Sequence, residues 1–322
     1  MSIIETSQLT KKYDRLTAVD KLDLNIEEGE IFGLLGPNGA GKTTTLMMLT
    51  TLIKPTSGGG TVNGFDIIKE PDKVRKSIGI VFQDPSSDDI LTGYENLKLH
   101  GMLYSMPKAF REQQIKEVLK LVDLSDRQND LVRKYSGGMR RRLELARGLM
   151  HQPKIIFLDE PTLGLDPQTR ETIWGYIENL SRVEKVTIII TTHYMEEADR
   201  LCSRLAIIDT GKIVALDSPS NMKKTIGGDI VTLKITNPDI ESINKLDFIK
   251  DTEIRDGLVF LTVTNANENL PLILQTIGKV ESVEVHSPTL NDVFLSFTGR
   301  TIREDSPEGS WAERSMHYRA KK

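Results

Sequence analysis

IFGLLGPNGAGKTTTLMMLT, Ile31 to Thr50, decides the fold of this chain. An apolar β-type run ends at Gly36, a loop follows, and a helical pattern opens at Lys42. Gly36-x4-Gly41-Lys42-Thr43 is the spacing of a phosphate-binding loop set between a strand and a helix. Gly36, Gly39 and Gly41 let backbone N–H groups approach phosphate oxygens closely, and Pro37, Asn38 and Ala40 complete the loop. Lys42 brings a positive charge to the β- and γ-phosphates. The Thr43 hydroxyl suits Mg²⁺, and Thr44 follows it at the helix start. The implied ligands are a nucleotide's phosphates and Mg²⁺.

Further β-type runs follow: SIGIVFQ (77–83), KIIFLDE (154–160), VTIIITTH (186–193) and RLAIIDTGKIVA (204–215). Most are apolar along their length rather than alternating, as in a parallel sheet covered by helices on both faces. Each is followed by helix-like sequence, the βα rhythm of a doubly wound α/β fold. The ends of such strands face a ligand crevice. Asp159 and Glu160 end one of them. Asp159 suits Mg²⁺, and Glu160 suits orienting or deprotonating an attacking water. His193 ends a second strand, within reach of a γ-phosphate. Gln83 ends a third, as a Mg²⁺ or water ligand. One site explains these polar strand ends better than separate accidents do.

A second anion-facing helix start lies downstream, in YSGGMRRRLELARGLMHQP (135–153). Backbone N–H groups beside glycines at a helix start attract anions. Ser136-Gly137-Gly138-Met139 has no lysine or magnesium ligand beside it, so it is half a nucleotide site. The simplest use of half a site is to complete another molecule's, and a two-fold dimer would bury two ATP molecules between two identical chains. In the helix, Met139, Leu143, Ala146 and Met150 form one apolar stripe. Arg140, Arg141, Arg142 and Arg147 lie largely off it, on what reads as a solvated face; salt bridges within a helical subdomain are the alternative.

The chain has 322 residues and a net charge of −4 with both signs mixed throughout, so no basic surplus points to nucleic acid. The single cysteine, Cys202, forms no internal disulfide and reads as a packing residue. The N-terminus lacks the apolar core of a signal peptide, and no run approaches the roughly 20 apolar residues of a membrane helix. The expected location is intracellular, with any membrane work done through a partner. Residues 1–220 read as one α/β domain, with a mostly helical insertion at about 86–150 punctuated by Pro107. After a DSPSN turn (217–221), the order is β-α-β-β-α-β, with a hairpin at Asp256-Gly257 and a closing helix LNDVFLSFTG. This predicts a small α+β ferredoxin-like domain over 228–300. Residues 301–322 read as a flexible tail.

GPNGAGKTT, VFQD, YSGGM, IIFLDEP, LGLD and TTH stand in the order and spacing of the ATP-binding-cassette (ABC) ATPases, and the resemblance covers residues 1 to about 220. It implies a P-loop NTPase fold, ATP hydrolysis, and an ATP-sandwich homodimer in which Ser136–Met139 meets the partner's nucleotide. It implies that Tyr13, which alone would read as a packing tyrosine, stacks on adenine. It also implies that Asp166 lies in a loop coupling the two sites. Tyr135 and Met139 depart from the commonest Leu-Ser-Gly-Gly-Gln form, while the serine and both glycines remain. YSGGMRRRLELARGL, TTHYMEEAD and SPTLNDVFLSFTGR resemble the daunorubicin-resistance type of drug-export subunit. That type implies a separate transmembrane permease, docked near Asp84 to Tyr104, and a place at the cytoplasmic face of the membrane. An importer motor and a soluble ABC ATPase are the rival readings. For the small domain, dimer support, ligand sensing and ATPase regulation stay open.

Overall fold

A computed structural model describes residues 2–235, 240–255, 257–277 and 280–298. The hairpin position Asp256 and the tail 301–322 lie outside them. A boundary between Leu216 and Asp217 separates two compact units.

The first unit opens with β1 (Ser2–Tyr13), β2 (Leu16–Leu22) and β3 (Asn25–Glu27). β4 (Ile31–Leu35) leads through the glycine loop to α1 (Lys42–Leu49). β5 (Ser57–Val62), β6 (Phe65–Asp66), α2 (Pro71–Ser77) and β7 (Ile78–Val81) follow. The helical stretch holds α3 (Gly93–Leu103), α4 (Lys108–Leu121) and α5 (Gly137–Leu149). The chain then alternates through β8 (Ile155–Asp159), α6 (Pro167–Arg182), β9 (Thr187–Thr192), α7 (Met195–Leu201), β10 (Arg204–Asp209) and β11 (Lys212–Asp217).

Two sheets form from these strands. The core sheet has the order β11-β10-β4-β9-β8-β7, and β10, β4, β9, β8 and β7 run parallel. Every residue of β4, β8 and β9 is buried, as continuous apolar runs demand of strands covered on both faces. Phe32 and Phe157 are fully buried in this core, each worth roughly 1.5–3 kcal/mol in removed apolar surface. The second sheet is antiparallel, with the order β2-β1-β5-β6 and β3 paired to β1. Nothing in the sequence reading anticipated it.

Three expectations need correction. RLAIIDTGKIVA is two strands, not one, and no helix follows β10. Thr210 and Gly211 turn the chain with φ of 47° and 79°, the paired positive angles of a tight hairpin turn. DSPSN is the start of a helix, not a bare turn. Ser218 caps α8 (Pro219–Ile226) by accepting from the Asn221 N–H at 3.2 Å, and Pro219 takes the first helical position. The arginines of α5 do not form a solvated face. Arg141 is buried, Arg140 pairs with Asp89, and Arg147 lies 3.1 Å from the buried Glu144. Arg142 donates to the Val122 and Asp123 carbonyls at 3.1 and 3.0 Å.

In the second unit, β12 (Asp229–Lys234), α9 (Ile240–Ile243), β13 (Ile249–Arg255), β14 (Leu258–Val263), α10 (Ala266–Ile277) and β15 (Ser282–His286) follow in βαββαβ order. The sheet order is β13-β14-β12-β15 and all pairs are antiparallel, which is the ferredoxin-like arrangement. Val231, Leu233, Val259, Leu261 and Val263 form its core with Ile243 and Ile273 from the helices. The closing helix α11 (Leu290–Thr298) buries Leu290, Val293 and Phe294 and packs with α8.

Candidate functional site

The parallel sheet sets three strand ends side by side. Leu35 of β4 pairs with Thr192 of β9, and Thr191 pairs with Asp159 of β8. The glycine loop, His193 and the Asp159-Glu160 pair therefore leave the sheet at one edge, as the strand-end argument requires. The Gly36 N–H donates to the Thr192 carbonyl at 3.3 Å, tying the loop to β9. A Cβ at Gly36 would lie 2.2 Å from the Ile208 carbonyl oxygen. Gly41 has φ 106°, and its Cβ would lie 2.4 Å from the Ala18 oxygen. Both positions accept only glycine. Pro37 is half-buried, Asn38 and Gly39 are exposed, and Ala40 is buried.

Lys42 opens α1 and is buried. Its Nζ donates to the Gly36 and Pro37 carbonyls at 2.7 and 3.1 Å and lies 3.5 Å from Glu160 Oε1. Burial pulls its pKa down, against the Glu160 and Asp159 carboxylates, which pull it up. Thr43 Oγ1 donates to Asp159 Oδ1 at 3.1 Å, and Thr191 Oγ1 donates to the same oxygen at 2.5 Å. Burial raises the Asp159 pKa, and these two hydroxyl bonds work against the rise. Thr44 is half-buried in the same helical turn.

Glu160 leaves β8 with φ 48°, and its N–H donates to the carbonyl and the hydroxyl of Thr191, each at 3.1 Å. Burial acts to raise its pKa, but His193 and Lys42 together outweigh burial and hold the carboxyl below the usual range. His193 Nδ1 lies 2.9 Å from Glu160 Oε2, outside the direction of a well-aligned ring hydrogen bond, so the contact is a close polar approach. The His193 ring tilts against Tyr194 at 4.2 Å between centroids. Cation, hydroxyl, two carboxylates and imidazole thus meet on one edge, the set that phosphate transfer to water uses.

The other predicted site residues stand apart from this cluster. Gln83 lies two residues beyond the end of β7, is exposed, and has no hydrogen bond to Thr43 or Asp159. The strand reading placed it too far inside the sheet. Tyr13 closes β1 on the antiparallel sheet, partly exposed, with Lys11 Nζ 5.1 Å from its ring centroid. Ser136 caps α5 by accepting from the Met139 N–H at 3.2 Å. No hydrogen bond joins Ser136, Gly137, Gly138 or Met139 to the loop Gly36–Thr44 among the described residues. A Cβ at Gly138 would lie 2.5 Å from Thr169 Cγ2, so α5 packs tightly on the start of α6. Asp166 caps that helix, accepting from the Thr169 N–H at 3.0 Å and from its hydroxyl at 2.6 Å. Cys202 is buried at the end of α7, and burial raises its thiol pKa, which fits a packing residue.

The residue that the sequence reading missed is Arg141. It donates to the carbonyls of Phe82, Asp159 and Pro161, which flank Gln83 and Glu160. Its only sequence signal is its place in a run of arginines.

Comparison with known proteins agrees with this geometry. Residues 19–163 match the family described as ABC transporter, and residues 218–298 match the ATP-binding protein DrrA1-3-like C-terminal domain. The daunorubicin resistance ATP-binding protein DrrA2 of Streptomyces coeruleorubidus is 36% identical, over 95% of this chain and 98% of its own. This chain belongs to the ABC transporter family. The Nod factor export ATP-binding protein I of Cupriavidus pinatubonensis is 38% identical over 94% of this chain and 93% of its own. A solved ATP-binding cassette, described as dimeric in a post-hydrolysis state with ADP and Pi, superposes with a TM-score of 0.61 at 29% identity, over 67% of this chain and 98% of its own. As an ABC ATPase the chain binds nucleotide and hydrolyses ATP.

Proposed function

We propose that the chain is the ATP-binding and hydrolysing subunit of an exporter, driving efflux of a hydrophobic, drug-like substrate through a separate membrane subunit. Its likeness to resistance and export subunits over nearly the whole length, small C-terminal domain included, carries this reading. No helix among the described residues is long and apolar enough to cross a membrane, so the transport path falls to a partner. Around α3, Ile90, Met102 and Leu103 are exposed apolar side chains that suit such a partner.

Within the site, the N–H groups of Gly36–Thr44 and Lys42 hold the β- and γ-phosphates. Tyr13 stacks on adenine. Thr43 and Asp159, whose oxygens lie 3.1 Å apart, are hard oxygen donors that would hold Mg²⁺, and Gln83 would be a further oxygen ligand. Mg²⁺ supplies charge neutralisation on the phosphates. Glu160 accepts a proton from the attacking water, and His193 bonds to the γ-phosphate. Ser136–Met139 meets the nucleotide of a second copy, and Asp166 couples the two sites. Gly137 and Gly138 open α5, where first-turn N–H groups have no partner within the helix, and this supports that reading.

Gentle affinity purification from native membranes tests the exporter reading. A co-purifying polytopic membrane protein is expected. Recovery from the soluble fraction alone, with ribosomes or DNA-repair proteins, would overturn it. A sharper probe is Glu95, whose carboxylate accepts from the Thr92 N–H at 2.8 Å while Thr92 Oγ1 accepts from the Glu95 N–H at 3.1 Å. Charge reversal there would damage this capping box as well as any docking contact. Glu95→Gln keeps the cap and removes the charge. Transport by Glu95→Gln is expected to fall at least about tenfold with ATPase activity unchanged, as loss of one buried charged contact implies. Intact transport would exclude Glu95 from the docking contact.

A further inference from the structure

Glu160 is held in the left-handed region, where a side chain bearing a Cβ costs roughly 1–2 kcal/mol. Such a conformation persists only when its surroundings over-determine it. On the amide side, Thr191 supplies two acceptors. On the carbonyl side, the Leu163 N–H donates to the Glu160 carbonyl at 3.3 Å, and one residue from a different element holds the carbonyls on either side of it. Arg141, in the second turn of α5, donates from Nη2 to the Asp159 carbonyl at 3.1 Å and from Nε to the Pro161 carbonyl at 2.6 Å. The same guanidinium thus grips the backbone just before and just after Glu160. Its Nη1 donates to the Phe82 carbonyl at 2.5 Å, the carbonyl that precedes Gln83.

A guanidinium is planar, and its donors keep a fixed fork. It therefore fixes these three carbonyls relative to one another as well as satisfying them. The same helix reinforces the arrangement through Glu144, which accepts from the Ser86 and Ser87 N–H groups at 3.2 and 2.8 Å. Burial lowers the Arg141 pKa to about 10, with Glu144, Glu197, Asp159 and Glu160 opposing, so the side chain stays charged at neutral pH. Arg141 begins one turn beyond Ser136, on the helix that Ser136 caps.

We propose that Arg141 is a positioning residue for hydrolysis, clamping the left-handed turn at Glu160 and tying that carboxylate to the helix whose start meets the partner's nucleotide. This role rests on the ATPase assignments of Glu160 and Ser136 above. A purely structural arginine would stabilise the fold without bearing on the chemical step. The two differ in how substitution divides between kcat and KM.

Arg141→Lys keeps the buried positive charge but loses the fork. Its kcat for ATP is expected to fall about 10- to 100-fold, the scale of a small misplacement of a reacting group. Its KM and its equilibrium affinity for ATP should stay within about twofold of wild type. Should that variant fail to fold, Arg141→Met combined with Glu197→Gln removes the guanidinium together with a neighbouring buried carboxyl and should show the same split. A folded variant with kcat within about twofold of wild type overturns the role, as does a loss carried by KM alone. Wild-type protein that hydrolyses no ATP beside these variants would instead bring down the ATPase assignment of Glu160, and this role with it.

Discussion

Glu160→Gln should lower ATP turnover by about a thousandfold, within the range that a positioned general base supplies, while leaving ATP binding intact. The carboxylate is ionised in the folded chain, because His193 and Lys42 outweigh the effect of burial. It is therefore ready to accept a proton without first losing one. Glutamine fills nearly the same volume and accepts a hydrogen bond, so the left-handed turn and its bonds to Thr191 and Arg141 have no steric reason to move. What it lacks is basicity. It also releases Lys42 from an ion pair at 3.5 Å, which leaves the ammonium more available to phosphate. Affinity for ATP should thus hold or rise. With binding kept and hydrolysis blocked, ATP should hold two chains together, seen as a stable dimer in analytical ultracentrifugation that ADP does not support. Phosphate release at the wild-type rate would remove Glu160 as the water-activating group.

The parts of the fold that were legible owe it to continuous apolar runs. β4, β8 and β9 are buried throughout, and their composition admits little else. The site was legible for a related reason: a polar side chain directly after such a run must emerge at the sheet edge, as Asp159, Glu160 and His193 do. The antiparallel sheet was not legible because its signals are weak. β1 alternates irregularly and shifts register at Leu9/Lys11 and Lys11/Lys12, and β5 opens with Ser57-Gly58-Gly59-Gly60, poor strand formers held in place by their partners. The start of α8 carried a readable signal, Ser218 followed by Pro219 with Gly227 at φ 84° beyond its end, but a cluster of turn residues masks a helix start easily. Arg141 and the backbone angle of Glu160 were out of reach in principle. Three carbonyls far apart in the sequence, at Phe82, Asp159 and Pro161, decide that this arginine of a run is buried. Periodicity records side-chain polarity and says nothing about where backbone acceptors will converge.

The in-trans role proposed for Ser136 predicts the second large effect, through the substitution Ser136→Asp. Aspartate caps a helix as well as serine does, so the bond to the Met139 N–H and the start of α5 should survive. The change introduces a negative charge where the partner's γ-phosphate is expected. Two like unit charges about 4 Å apart repel by roughly 4 kcal/mol at an effective dielectric near 20, which corresponds to nearly a thousandfold. Homodimers of Ser136→Asp should therefore be almost inactive, although each P-loop is untouched. Lys42→Ala should be inactive for the opposite reason, since the cation that leans on the Gly36 and Pro37 carbonyls is gone. Co-expression of the two variants with different tags allows mixed dimers to be isolated. In a mixed dimer, the intact P-loop of the Ser136→Asp chain faces the intact Ser136 of the Lys42→Ala chain. The second site carries both defects. Two-fold geometry then predicts about half the wild-type rate per dimer from two inactive parents. If Ser136 served only its own chain, each protomer would keep its own lesion and the mixed dimer would be as inactive as its parents. Recovery of activity thus requires that one chain's helix start complete the other chain's site.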